Sequence, residues 1–305
     1  SVARQNTQTP DFVLGFNPDY FSNYNPQQHY ERFLEFYEEE SSNTVVGSYL
    51  SGADCNSDIE NYPPQGHSCL NFSSNELLYR TYPSTQPNRW RVNLTNQETA
   101  NKFINMTLHE AFNRKRPFIF LDTILHPNTG GWSGTTMTWE TITSQLSQMK
   151  TTLNARGIKL ATNFAGTIWT MKQNNYHDAD LFINSVDGMS FEGSIIFHPL
   201  TTREFPTKMQ DNFDVYRRFL NADKVIMFLP TEGQVMDNLY AALAMMMYEP
   251  GDSLFVSRAY FYENNYYFWL DWPGRFGAPQ GTKNFVVNGV RDCTASRNFQ
   301  NGQIF

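Results

Sequence analysis

The sequence predicts an α/β fold, a (β/α)8 barrel over residues 1–275 with a small β appendage at 276–305. Three observations support this. Eight short apolar runs alternate with stretches at helical spacing, which implies right-handed crossovers and a parallel sheet. Eight such units close most naturally into a barrel, and 305 residues suffice for one of about 250 with an extension. The first run also lacks the Gly-rich phosphate turn that opens a doubly wound nucleotide-binding sheet.

Phe12-Val13-Leu14-Gly15-Phe16-Asn17, ended by Asn-Pro, reads as a first buried strand, and Tyr30, Phe33, Leu34 and Tyr37 place a helix over about 27–39. Thr44 to Leu50 is a second strand, closed by Ser51-Gly52. Residues 53–88 are rich in Asn, Ser, Pro and Gly without periodicity and read as a long loop insertion. Arg89 to Leu94 alternates as a third strand, and Thr95 followed by Glu98 predicts a Thr-capped helix running to about Arg114.

Pro117 to Asp122 is the strongest strand signal, an unbroken apolar run suited to burial on both faces. A helix from Trp139 to Ala155 stopped by Gly157, a strand Ile158 to Asn163, and a looser helix to Asn184 continue the rhythm. Asp187 to Gly193, Lys224 to Pro230 and Ser253 to Ser257 complete the strands, with helices at about 208–220 and 236–248. From 276 onward, short β-prone runs such as Asn284 to Val287 predict the appendage, and Ile304-Phe305 reads as mid-strand, so the natural sequence is expected to continue.

Charge narrows the function classes. A net charge of −7, with no basic run longer than Asn113-Arg114-Lys115-Arg116, argues against nucleic acid. No stretch approaches the roughly 18 apolar residues of a membrane span. A monomer is expected. Aromatics at 15% supply rings for a core or for stacking on a flat ligand. Ser1, without an initiator Met or a signal h-region, fits a processed or trimmed start.

Of the three cysteines, Cys55 and Cys69 lie close enough for a disulfide closing a loop of about 15 residues, a contribution of about 3 kcal/mol. Such a bridge implies an oxidising compartment and a secreted or cell-surface protein, whereas three free thiols would carry no such implication. Cys293 has no evident partner. Asn71, Asn93 and Asn105 head sequons that matter only in a eukaryotic host.

In a barrel the active site lies where strands end, so polar residues closing apolar runs are the candidates: Asn17, Ser51, Asp122, Asn163, Glu192, Glu232 and Arg258. Asp122 and Glu192 follow Phe-Ile-Phe-Leu and Met-Ser-Phe directly, two strands apart in the predicted order. Strand ends at that separation are about 10 Å apart, and converging side chains reach the roughly 5 to 9.5 Å that glycoside hydrolysis uses. One carboxyl would stay protonated for the leaving group, and burial against Phe191 would raise Glu192 toward that role. The plainer alternative for either is a helix cap or a partner for Arg.

Glu232 resembles a helix N-terminal acid or a substitute acid, and Asp54 and Asp271 read as structural or substrate-rim residues. Tyr49, Trp132, Trp169 and Tyr266 are rings that can stack on sugar faces, and Asn17 and Asn163 are amides for hydroxyls. His126, His177 and His198 are isolated, so no metal site is supported and no cofactor is expected. No Gly-x-Ser-x-Gly elbow occurs. Lys159 and Lys224 stand at strand starts, the wrong end for a barrel lyase or isomerase. A non-catalytic carbohydrate-binding barrel is the remaining alternative.

Several segments together carry a resemblance: Gly-Phe-Asn17, Val-Gly-Ser-Tyr-Leu-Ser-Gly52, Arg-Trp-Arg-Val-Asn-Leu-Thr-Asn96, Phe-Ile-Phe-Leu-Asp122-Thr, Gly-Ile-Lys-Leu-Ala-Thr-Asn163 and Asp-Gly-Met-Ser-Phe-Glu192-Gly. In this order the chain resembles the glycoside-hydrolase-like barrel families, relatives of the barrels that include endo-acting α-galactosaminidases. Arg297 to Ile304 is similar to the Arg-x-Phe-x-Asn-Gly-x-Val segment leading into their C-terminal β element. The resemblance implies hydrolysis of a polysaccharide or oligosaccharide, with Asp122 as nucleophile or stabiliser and Glu192 as acid/base. The insertion at 53–88 and His126-Pro127 after Asp122-Thr-Ile-Leu depart from the common pattern.

Overall fold

The computed structural model describes residues 12–14, 45–57, 67–80, 88–122, 138–164, 169–192, 205–229, 244, 246–250, 252, 254–256, 278–287 and 293–304. The chain divides into two units, Ser1–Asn163 and Phe164–Phe305. The predicted helices over 27–39 and most of 236–248 lie outside the described residues.

The first unit opens with β1 (Phe12–Leu14) and β2 (Val45–Ser51), which are parallel in the register Phe12↔Val45. Where the sequence predicts only a loop, three short strands follow: β3 (Asp54–Asn56), β4 (His67–Ser68) and β5 (Leu77–Arg80). They join β6 (Arg89–Val92) in a separate four-stranded sheet of order β4-β3-β6-β5. The predicted third barrel strand therefore leaves the parallel sheet, because β6 runs antiparallel to both β3 and β5. Ion pairs from Arg89 and Arg91 to Asp54 tie β6 to β3, and the Cys55–Cys69 disulfide, with Cα atoms 5.0 Å apart, ties β3 to the turn after β4.

Helix α1 (Gln97–Arg114) starts one residue later than the predicted Thr cap. Asn96 is the N-cap, its side-chain oxygen accepting the N–H groups of Glu98 and Thr99 at 3.0 Å each. Its inner face buries Phe103, Ile104, Leu108 and Ala111. The small sheet docks on that helix through His67, whose Nε2 lies 2.9 Å from Thr107 Oγ1 and whose ring stands edge-on to Phe103. Burial lowers the His67 pKa to about 4; the Glu110 carboxylate opposes this and Arg114 adds to it.

β7 (Phe118–Asp122) pairs directly with β2 and, on its other side, with β8 (Lys159–Phe164), both parallel. Its four apolar residues are all buried, as the unbroken run requires. Between these strands, α2 (Trp139–Asn154) packs Ile142, Leu146, Met149 and Leu153 inward and ends near Gly157, whose φ of +75° suits a residue without Cβ.

In the second unit, α3 (Trp169–Ser185) leads to β9 (Gly188–Glu192), and α4 (Phe205–Asn221) leads to β10 (Val225–Leu229). β9 and β10 are parallel with Phe191 opposite Phe228, and β11 (Leu254–Val256) adds to β10 in the same sense. Phe191 and Phe228 pack around the fully buried Tyr216 of α4, at ring-centroid distances of 4.7 and 5.0 Å. Arg218 and Asp180 tie α4 to α3 at 2.6 Å.

The C-terminal β12 (Pro279–Val287), β13 (Cys293–Phe299) and β14 (Gly302–Ile304) form an antiparallel sheet. Arg297, 2% exposed, donates to the carbonyls of Met246 and Tyr248 and pairs with Glu249. Outside the small sheet, β1, β2, β7 and β8 of the first unit and β9, β10 and β11 of the second pair in parallel, and helices α1 to α4 fall between successive members from β2 to β10. The α/β class and its parallel sheet follow. No helix among the described residues is long and apolar enough to cross a membrane.

Candidate active site

Asp122 is the last residue of β7, and the register fixes its neighbours. Ser51 lies opposite it on β2, and Leu121 opposite Thr162 puts Asn163 of β8 level with it on the other side. Side chains alternate across a strand, so these three share one face, with Tyr49 one layer below beside Phe120.

The contacts follow that geometry. Tyr49 donates its hydroxyl to Asp122 Oδ2, and Asn163 Nδ2 donates to Asp122 Oδ1 at 2.9 Å. Each carboxylate oxygen is thus held by a different flanking strand, which locks the carboxylate plane. The Tyr49 ring packs against Phe120 at 5.7 Å, and Arg114 donates to the Tyr49 carbonyl at 3.3 Å, so the tyrosine is itself anchored. The Ser51 hydroxyl, in a residue 8% exposed, makes no hydrogen bond among the described residues.

Four of the candidates therefore converge on one site: Tyr49, Ser51, Asp122 and Asn163. Glu192 is the last residue of β9, and its side chain lies outside the described residues, as does that of Trp169, which opens α3. Asn17, Trp132, Glu232, Arg258, Tyr266 and Asp271 also lie outside them. Among the described residues no three His, Cys, Asp or Glu side chains gather as metal ligands would.

The chain matches no protein-family model and no curated protein. Among solved structures it is similar to Ega3 of Aspergillus fumigatus in complex with galactosamine, at 11% identity over 75% of this chain and 79% of that one, with a TM-score of 0.49. It is similar also to the glycoside hydrolase domain of PelA from Pseudomonas aeruginosa, at 12% identity over 82% and 88% of the two chains, with a TM-score of 0.41. A third is a GH30 endoxylanase from Clostridium papyrosolvens, at 10% identity over 84% and 56%, with a TM-score of 0.38. Glycoside hydrolases stand among its structural neighbours.

One residue near the site escaped the reading of strand ends. Asp54, expected to be a structural or substrate-rim residue within the loop, lies on β3 and is only 1% exposed, bound by Arg89 Nε at 2.7 Å and Arg91 Nη1 at 2.9 Å. Burial pushes its carboxyl above the ordinary carboxylate range. The Arg91 and Arg89 guanidinium groups pull it back, and the negative charge of Asp122 adds to the rise. The available signal was Arg89-Trp90-Arg91, which places two cations on one face of a short strand.

Proposed function

We propose that the chain is a secreted or cell-surface glycoside hydrolase that cleaves a polysaccharide or oligosaccharide through Asp122 and Glu192. The observation that carries this reading is the Asp122 carboxylate, held on both oxygens by Tyr49 and Asn163 at the carboxyl end of a buried parallel strand. A carboxylate fixed in one orientation is what attack on, or stabilisation of, an oxocarbenium-like centre requires. Glu192 occupies the corresponding last position of its own parallel strand. The reading includes closure of the parallel strands into a barrel, which would gather their carboxyl ends around one cleft.

In this mechanism Glu192 gives its proton to the leaving glycosidic oxygen while Asp122, ionised, attacks or stabilises the anomeric carbon. Water completes the hydrolysis, and the separation of the two carboxyls sets retention or inversion. The Ser51 hydroxyl would meet a substrate hydroxyl beside Asp122, with Asn17, Trp132, Trp169, Glu232 and Tyr266 as further sugar contacts. A net charge of −7 favours neutral or amino sugars over sulfated or uronic polymers. The disulfide supports an oxidising compartment.

The test is release of reducing sugar from a panel of neutral and amino-sugar polysaccharides by the parent, Asp122→Asn and Glu192→Gln. The expected result is release by the parent and a loss on the order of 10²- to 10⁴-fold in each variant. Unchanged release by Glu192→Gln would move the acid elsewhere. Binding without release by the parent would make this a carbohydrate-binding protein.

A further inference from the structure

We propose that Asp54 is a positioning residue for Asp122: gripped by Arg89 and Arg91, it pins the turn after β2 against the end of β7. The path is short and continuous. β2 ends at Ser51, level with Asp122, and the next residue, Gly52, donates its N–H to the Asp122 carbonyl at 2.5 Å. Ala53 then turns to the small sheet, its carbonyl accepting the Val92 N–H at 3.1 Å. Asp54 takes both arginines, and Cys55 is bonded to Cys69. Four consecutive residues are therefore anchored, the first to the strand that carries Asp122 and the other three within the small sheet and its disulfide.

The chemistry argues that this cluster serves geometry. Desolvating a carboxylate and a guanidinium costs several kcal/mol per ion, and a buried ion pair typically returns little net stability over apolar residues of the same volume. What such a pair does supply is direction, since two arginines on one carboxylate admit a single arrangement of the strands that carry them. Asp54 is too buried to touch substrate, so its effect reaches the reaction through Gly52 and Asp122. Burial raises the Asp54 pKa, and the negative charge of Asp122 adds to that rise.

The catalytic consequence rests on the hydrolase reading; the structural one does not, and the experiment separates them. Hydrogen exchange at the Gly52 amide would be followed in the parent, in Asp54→Asn and in Asp54→Asn/Arg91→Met. The double variant leaves no unpaired charge at Arg91 and keeps the test open if the single variant fails to fold. The expected result is exchange at Gly52 at least about tenfold faster in the variants, with the Val225 amide of the second unit unchanged. On a hydrolysed polysaccharide, kcat should fall by about tenfold or more with KM within about twofold, because a displaced carboxylate loses rate before it loses binding. Folded variants with parental Gly52 exchange would overturn the proposal, and so would variants that only melt earlier while keeping kcat. A parent without hydrolysis would remove the hydrolase reading and leave Gly52 exchange to decide Asp54.

Discussion

The two sheets of the first unit are held by opposite means. β7 and its neighbours are secured by apolar burial, with Phe118 through Leu121 all buried. The small sheet has strands of two to four residues, too short to bury much, and is secured by a disulfide, two buried ion pairs and a histidine docked on α1. The difference explains where polar chemistry can sit. A strand whose core lies beneath it can end in Asp122 at little cost, whereas the small sheet already spends its polar groups on its own cohesion.

That contrast can be broken from either side. Phe120→Ala empties a site 1% exposed at the centre of the parallel strands and should cost about 3–5 kcal/mol in chemical denaturation. A loss below about 1 kcal/mol would mean that burial is not what secures β7. Replacing Cys55 and Cys69 with Ser, with a sequence separation of 14, should cost about 3 kcal/mol and should raise proteolysis between residues 57 and 88 before the parallel strands are cut. Simultaneous cutting of both regions would show that the sheets unfold as one.

The smallest effect is a pH dependence. His67 has a folded pKa of about 4 against 6.5 unfolded, so between those values the unfolded chain binds more protons. Stability present above pH 6.5 should therefore decline as pH falls toward 4 and level off below it. Between pH 7 and pH 4.5 the decline should be on the order of 2 kcal/mol. Denaturant titrations at pH 7 and pH 4.5 should show this decline in the parent and most of it missing in His67→Gln. An equal decline in both would assign it to carboxylates elsewhere.

The parallel strands were legible because unbroken apolar runs such as Phe118 to Leu121 have few other uses, and the rule of strand ends brought Ser51, Asp122 and Asn163 onto one short list. The ring list supplied Tyr49, yet nothing in the string says that it donates to Asp122, since that depends on register between segments 73 residues apart. Residues 53–88 read as a loop because strands of two to four residues show no period and their cohesion comes from cross-links rather than pattern. Arg89 to Leu94 misled for the opposite reason: its alternation is real, but alternation does not say which sheet a strand joins. In the sequence Asp54 stands between a structural and a substrate-rim role because the cations that pair with it lie 35 and 37 residues downstream.

Arg297 bears on how the chain is made. Three of its partners, Met246, Tyr248 and Glu249, precede it by 48 to 51 residues, so during synthesis they leave the ribosome without that guanidinium. The first unit holds all its described strand pairings, its disulfide and the Tyr49–Asp122–Asn163 contacts within residues 1–163, and can assemble while translation continues. Those groups of the second unit must wait for Arg297. Termination before Arg297 would release a chain whose first unit keeps the Tyr49–Asp122–Asn163 contacts and whose Met246 and Tyr248 carbonyls lack that donor, the kind of half-finished product that quality-control proteases recognise.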